Sequence, residues 1–191
     1  MTRPKKQGDA VKSRLSREDW LSRALDALAD AGGGALTIDA LTQRLGVSRG
    51  SFYWHFKDRA DFVRQLIDHW SVLMTQRVTE ETAQLDAGPK ERLLALMENL
   101  IAGQFNRYDM VVRVWAAHDR KAARLVENVD ELRLAYVRSL FAEMGFIGDE
   151  LEMRTRTFVV YYSVEPGLFA PLPRKALKKD LMLRHALLTR P

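Results

Sequence analysis

Apolar residues recur every three or four positions along most of the chain, the spacing that places them on one face of an α-helix. No segment alternates apolar and polar residues regularly enough to predict a strand. Cap and turn residues divide the periodic segments into about nine helices. We place the starts of these helices at or near Ser16, Thr37, Ser48, Asp58, Pro89, Tyr108, Asp119, Asp149 and Pro173. The pattern predicts an all-α fold.

Three of these helices carry specific expectations about length. The fourth should run from Asp58 to about Thr82, and the fifth should extend over about residues 89–107. The eighth should extend over about residues 149–165, where we expect Pro166-Gly167 to interrupt it because proline cannot donate a helical hydrogen bond.

Residues 37–56 carry the pattern of a helix-turn-helix, in which two short predicted helices meet at Gly46. A sharp turn between helices needs a left-handed backbone, which glycine adopts without steric cost. Ser48 follows as a good N-cap for the second helix. Such a pair of helices places the start of the second helix in the major groove of DNA. The sequence therefore indicates a DNA-binding protein.

The N-terminal half of the third helix contains the residues placed to read bases. Arg49 is the only side chain there that can form a bidentate pair with guanine. Ser51 can donate or accept a hydrogen bond, and Tyr53 or Trp54 can contact a thymine methyl group. These side chains are the predicted base readers.

Residues 14–74 also closely resemble the TetR/AcrR family of bacterial transcriptional regulators. The matching residues are Gly46-Val47-Ser48, Gly50, Phe52-Tyr53-Trp54-His55-Phe56, Lys57 and Arg59. Arg59 stands where the family more often has lysine, and Ala60 stands where it often has glutamate. The resemblance implies a three-helix DNA-binding head and a larger helical body, residues 75–191, that holds an effector pocket and a dimer interface. The long fourth helix would then connect the head to the body.

The resemblance also implies roles for single residues. Thr37, Tyr53, His55 and Lys57 match positions that usually hold phosphates, while positions 49, 51 and 54 vary with the operator sequence. The full predicted DNA-binding set is Thr37, Ser48, Arg49, Gly50, Ser51, Tyr53, Trp54, His55 and Lys57.

Structural roles stay open for part of this segment. Phe52 and Phe56 are expected in the core, where they would lock the third helix onto the first and fourth helices. Tyr53 could divide its side chain between core and phosphate. His55 could be only a cation at a helix end, where the dipole favours it.

The charge of the chain is concentrated at its start. The net charge is +5, and residues 1–15 hold five basic residues against Asp9 alone, which gives +4. Such an arm can lie along phosphates or enter the minor groove. A solvated tail that only aids solubility is the alternative, and both stay open.

Several classes of protein find no support in the composition. Cys is absent, which excludes disulfides and thiolate sites, and His118-Asp119 has no further ligand at metal-binding spacing. No nucleophile elbow or phosphate-binding loop is present, so we expect no metal, no cofactor and no enzyme. We also expect no membrane span and no secretory signal, and a cytoplasmic location.

The body is rich in large side chains that are partly polar, which suit an apolar pocket with a few orienting groups. The candidate ligand-binding residues are Phe105, Trp115, His118, Tyr136, Phe158 and Tyr162. Trp115 and His118 are expected to share one face of the sixth helix. A plain hydrophobic core is the alternative for all of these aromatic residues.

The eighth and ninth helices, about residues 149–189, are predicted to form a homodimer interface. Phe158, Val159, Tyr161 and Tyr162 surround the eighth helix more completely than one protomer's core should need. Two such helices from each protomer would form a four-helix bundle, with a two-fold axis that matches two operator half-sites.

The favoured function is a dimeric regulator of transcription that binds a pseudo-palindromic operator in double-stranded DNA. Repression, and release by a small lipophilic effector, follow from the resemblance. Two alternatives stay open: a constitutive architectural DNA-binding protein without an effector, and a protein-interaction module that binds a partner through the eighth and ninth helices.

Overall fold

The protein is described by a computed structural model over residues 15–31, 37–103, 106–168 and 172–190. The predicted contacts of the basic arm and of Phe105 lie outside these residues. The described parts contain helices and turns and no strand, in agreement with the predicted fold class. Their helices are α1 (Arg17–Asp30), α2 (Ile38–Leu45), α3 (Arg49–His55), α4 (Arg59–Ser71, Val72–Gln76 and Arg77–Ala83), α5 (Pro89–Ala102), α6 (Asn106–Ala116), α7 (Arg120–Glu143), α8 (Gly148–Leu168) and α9 (Arg174–Thr189).

The predicted caps start the helices of the head. Ser16 and Asp19 form a capping box, in which each side chain accepts a hydrogen bond from the other residue's backbone N–H at 3.0 Å. Thr37, Ser48 and Asp58 each accept a hydrogen bond from the backbone N–H three residues further on. These side chains satisfy N–H groups that a helix start leaves unpaired.

Helix α4 is continuous but changes its winding in the middle. Two α-helical segments flank a π-helical turn, Val72–Gln76. The last segment ends at Ala83, so the predicted long helix is confirmed. A π-helical turn is an uncommon feature that often occurs at functional sites.

The apolar side chains form two clusters, and the first one extends beyond the head. It contains the core of α1–α4 together with residues of α6 and of the first half of α7, among them Val112, Trp115 and Val126. Trp20 lies at its centre, with its ring 5.8 Å from the rings of both Phe52 and Phe56. The predicted core positions of Phe52 and Phe56 are thus confirmed.

The second cluster fills the body between α5, the last segment of α4, the second half of α7, α8 and α9. Helices α8 and α9 run antiparallel: Arg154 of α8 donates to the carbonyl of Leu188 at 2.5 Å, and Arg184 of α9 donates to the Tyr162 hydroxyl at 2.9 Å.

In the described residues, no helix is both long enough and apolar enough to cross a membrane.

Two of the predicted helix ends are wrong. Helix α5 ends at Ala102 because Gly103, a poor helix former, follows it. Helix α8 continues through Pro166 to Leu168. Since Pro166 lies in the last turn, its missing N–H removes one hydrogen bond where the helix is about to end.

Candidate DNA-binding surface and body cavity

The turn between α2 and α3 depends on Gly46. Its φ of 64° and ψ of 32° are left-handed, and its N–H donates to the Gln43 carbonyl at 3.1 Å. The next N–H, that of Val47, donates to the Thr42 carbonyl at 3.0 Å. A Cβ at position 46 would meet no atom within 4 Å, so the backbone conformation alone favours glycine.

Helix α3 has a core face and an exposed face. Phe52 is fully buried, whereas Tyr53 is 52% and Trp54 68% exposed. Tyr53 and Trp54 thus give this seven-residue helix an exposed aromatic face. Thr37, Ser48, Arg49, Gly50 and Lys57 are exposed as well. The predicted contact residues other than Ser51 and His55 therefore lie on the surface of the head.

Ser51 and His55 are directed toward α1. The Trp20 indole N–H donates to Ser51 Oγ at 3.1 Å, and His55 Nε2 donates to the Leu15 carbonyl at 3.0 Å. Both residues are half-buried and hold α3 against the start of α1. The periodic pattern gave no sign of these contacts because the partners are 31 and 40 residues away in the sequence.

Arg49 has an ionic partner that the sequence did not reveal. Its Nε lies 3.0 Å from Asp39 Oδ1 in the first turn of α2, and both side chains are more than half exposed. An exposed pair of this kind contributes at most about 1 kcal/mol, so competing groups can replace it easily.

The backbone at Lys57 is fixed by Asp61. The Asp61 carboxylate accepts hydrogen bonds from the Lys57 N–H at 3.0 Å, from Gln65 at 2.9 Å and from Arg64 at 2.7 Å. These donors stabilise the ionised form and lower the pKa of Asp61 to about 2. The exposed Lys57 side chain thus extends from a fixed backbone at the start of α4.

A cavity of about 50 Å³ lies in the body between α4, α5, α6, α7 and α8. Three of the predicted ligand-binding residues, Tyr136, Phe158 and Tyr162, line it together. Its apolar walls come mainly from Met74, Val78, Leu96, Leu100, Val137 and Val159.

Trp115 and His118 do not line this cavity. Trp115 is buried in the first cluster, with its ring 6.5 Å from that of Phe62. His118 is exposed in the turn after α6, which ends at Ala116. The expected common face is therefore wrong, because the helical spacing does not reach residue 118.

A buried ion pair in the cavity wall forms hydrogen bonds with residues of α4. Asp109 and Arg133 are in contact at 2.5 Å, with side chains 3% and 13% exposed. Asp109 also accepts from the Trp70 indole N–H at 3.0 Å, and Arg133 donates to Thr75 in the π-helical turn at 2.9 Å and to Ser163 at 3.2 Å. Sequence reasoning missed this network because its members come from four helices.

Helices α8 and α9 leave several large apolar side chains exposed, namely Met153, Val160, Met182, Leu183 and Leu187. Phe158 and Val159, two of the four residues on which the dimer prediction was based, are buried within the protomer instead.

The geometry of α1–α4 is that of a helix-turn-helix head, and the comparisons with known proteins agree. Residues 21–66 match the sequence model described as "Bacterial regulatory proteins, tetR family". The chain is 41% identical over 56 residues to tetracycline repressor protein class C of Escherichia coli, covering 29% of this chain and 24% of that protein. It is 21% identical over 179 residues to the HTH-type transcriptional regulator AcrR of Shigella flexneri, covering 90% and 71% of the two chains.

Solved structures share the fold over nearly the whole chain. The ketosteroid transcriptional regulator KstR2 of Mycobacterium tuberculosis has a TM-score of 0.70 at 18% identity, with 94% of each chain covered. A TetR-like transcriptional regulator from Rhodococcus sp. RHA1 has a TM-score of 0.69 at 16% identity, with 93% of this chain and 97% of that chain covered. Residues 21–66 therefore match the tetR family of bacterial regulatory proteins, and the chain as a whole shares the fold of these two solved regulators.

Proposed function

We propose that the protein is a homodimeric repressor that leaves its operator when a small lipophilic ligand enters the body cavity. The observation that carries this proposal is the course of α4, which begins at Arg59 just after α3 and Lys57 and lines the cavity from Met74 to Thr79. One helix therefore contacts both places whose states would have to be coupled.

At the operator, we assign base reading to Arg49, Ser51 and Trp54, and phosphate contacts to Thr37, Tyr53, His55 and Lys57. Arg49 can exchange its exposed ion pair with Asp39 for a guanine edge. Ser51 retains the proton of its hydroxyl, because it accepts from Trp20. Repression is carried over from the tetracycline repressor proteins that match the head.

The size of the cavity limits how a ligand can act. Pockets for drug-sized ligands measure about 300–1,000 Å³, whereas this cavity has about 50 Å³. A larger ligand would have to separate the cavity walls, and α4 is one of them. A preference of about 1–3 kcal/mol for one separation of the heads is the usual scale of such coupling.

The small cavity also favours a second function, a constitutive DNA-binding protein without an effector. Selection of operators from a random DNA pool, followed by footprinting and sedimentation of the complex, tests the shared part of both functions. A dimer on a pseudo-palindromic site is expected. A panel of lipophilic compounds then separates the two functions: a compound that raises the melting temperature and weakens operator binding supports the repressor with an effector.

If no compound changes either quantity, the constitutive function is correct. A protein that is dimeric without any partner would count against the interaction module. A protein that binds specific and random DNA equally would contradict the operator-binding function itself.

A further inference from the structure

The polar groups of the body cavity define which ligand it accepts, if the proposed effector site is correct. The charged side chains that line the cavity within the described residues are Asp109 and Arg133. They neutralise each other through two contacts, Arg133 Nη1 to Asp109 Oδ2 at 2.5 Å and Nη2 to Oδ1 at 3.1 Å. The lining as a whole is therefore neutral.

A charged ligand would have to break this pair. A ligand carboxylate that paired with Arg133 would leave the Asp109 carboxylate with the Trp70 N–H as its donor. An amine that took Asp109 would leave the buried guanidinium without its anion. Either exchange strands a buried charge, which is strongly unfavourable.

Five hydroxyl residues line the cavity, and one of them, Tyr162, accepts from Arg184 of α9. The other four differ in whether their protons are already used. Thr82 donates to the Val78 carbonyl at 2.8 Å, so the Tyr136 hydroxyl, 2.7 Å from Thr82, must be the donor in that contact. Thr79 donates to the Gln76 carbonyl at 2.9 Å. The protons of Tyr136 and Thr79 are thus engaged within the protein.

The hydroxyl protons of Thr75 and Ser163, in contrast, are not used by these contacts. Both accept from Arg133, which can only donate, so each oxygen acts as an acceptor and each proton remains to be given. No acceptor for either proton is found among the described residues. A hydroxyl that accepts from a cation is also a stronger donor, because hydrogen bonds in a chain polarise one another.

We propose that the cavity binds an uncharged, mainly apolar molecule whose single polar group is a hydrogen-bond acceptor such as a ketone or ester oxygen, and that Thr75 and Ser163 donate to it. Thr75 lies in the π-helical turn of α4, so the same contact places the ligand's polar group on the helix that leads to the reading head.

Four probes of equal chain length test this chemistry: hexan-2-one, hexanoate, hexylamine and hexane. Binding to the full chain is measured near neutral pH by calorimetry and by the shift in melting temperature. Hexan-2-one should bind roughly fivefold more tightly than hexane, the effect of one net hydrogen bond. It should bind about 100-fold more tightly than either ion, since each ion would have to break a buried pair.

Variants identify the donors. Thr75→Val and Ser163→Ala should each reduce the preference for ketone over alkane, and Ser163→Thr, which keeps a hydroxyl, should retain it. Thr155→Val is the matched control, because Thr155 is a buried hydroxyl on the same helix that does not line the cavity. An equal loss of preference in Thr155→Val and Ser163→Ala would contradict the assignment.

Operator affinity, measured with the same probes, separates this inference from the proposed function. If hexanoate or hexylamine binds as tightly as the ketone and releases the operator, the ligand class is wrong and the repressor function stands. If the ketone binds without changing operator affinity, the proposed ligand class of the cavity is correct and the proposed release of the operator by a ligand is wrong. Failure of all four probes to bind at their solubility limits would overturn the ligand class.

Discussion

Arg49 shows how far single residues of the reading surface follow from the sequence. Its place at the start of α3 came from the turn at Gly46 and the cap at Ser48, which are local features. Its contact with Asp39 could not be predicted from local features, because the helix dipole already explains an acidic residue in the first turn of a helix. Local signals thus placed Arg49 at the start of α3, and the packing of two helices supplied its ion-pair partner.

Arg49→Ala should relax the choice of sequence, while Lys57→Ala should weaken binding to all DNA almost equally. Arg49 is placed for a base edge, whereas Lys57 extends from the start of α4 toward the expected path of the phosphates. Affinities for the operator and for random DNA across a salt series would measure both effects. Lys57→Ala should lower the slope of log affinity against log salt by about one. An equal loss on specific and random DNA in Arg49→Ala would show that the base reader is another residue.

Thr155→Val should raise the stability of the protein by about 1 kcal/mol. Thr155 is fully buried, and its hydroxyl has no hydrogen-bond partner among the described residues. Valine keeps the branched shape and removes the group that lost its contact with water on folding. Chemical denaturation measures the change, with the exposed Thr157→Val as the control. A loss of stability in Thr155→Val would mean that the hydroxyl has a partner after all.

Asp61 should make the protein sensitive to acid. Its pKa in the folded protein is lowered from the ordinary 3.8 to about 2 by the donors Lys57, Gln65 and Arg64. Its stabilising effect is therefore complete above the unfolded value and is lost as the pH falls from 3.8 toward 2. Unfolding free energies over this range should fall less steeply in Asp61→Asn than in the unmodified protein. Asp86→Asn, at an exposed turn position, is the control and should leave the slope unchanged.

At the scale of the helices, the sequence was most accurate where an end is set by a local cap. Ser16, Asp58 and Asp119 start helices where they were expected to. The errors occurred where a proline falls in the last turn of a helix, as at Pro166, or where the helical spacing was extended past the end of α6 to His118. The π-helical turn in α4 has no signature in the apolar pattern, because it shifts the register of the helix by a single residue.

Trp115→Ala should destabilise the protein by about 3–5 kcal/mol, because it leaves a large cavity in a packed core. Trp115 joins α6 to the head, where its ring meets Phe62, and it does not line the body cavity. Its loss should therefore lower the melting temperature with and without a ligand, and the shift caused by hexan-2-one should be unchanged. Tyr136→Ala, on the cavity wall, is the comparison and should alter that shift. A ligand shift abolished in Trp115→Ala alone would place the binding site at the junction of head and body.

At the scale of the whole molecule, the all-α fold followed from the periodic pattern, while the expected division into head and body came from the family resemblance. The division of the core into two clusters could not be predicted from this pattern. Helices α6 and the first half of α7 pack with the head although they follow it by many residues. The candidate ligand-binding residues were all chosen from the chain after α4, whereas α4 itself also lines the cavity through Met74, Thr75, Val78 and Thr79. Helices α4, α6 and α7 therefore each contribute residues to both the cavity and the first cluster.

The dimer interface is the last expectation at this scale, and charged substitutions on the exposed faces of α8 and α9 test it. Val160 and Leu187 are 60% and 75% exposed, so an aspartate at either place should leave the protomer's own core intact. If two protomers pair through these helices, the double variant Val160→Asp, Leu187→Asp would bury two charges from each protomer in an apolar interface and should be a monomer. Sedimentation at micromolar concentration measures the mass, and operator affinity should fall because a monomer contacts one half-site.

Leu132→Asp is the matched control for this variant, since Leu132 is 51% exposed on α7, outside the proposed interface. It should remain dimeric and keep its affinity for the operator. A double variant that stays dimeric, or a Leu132→Asp protein that becomes monomeric, would move the interface away from α8 and α9. An unmodified protein that sediments as a monomer would remove the symmetry from which the pseudo-palindromic operator was inferred.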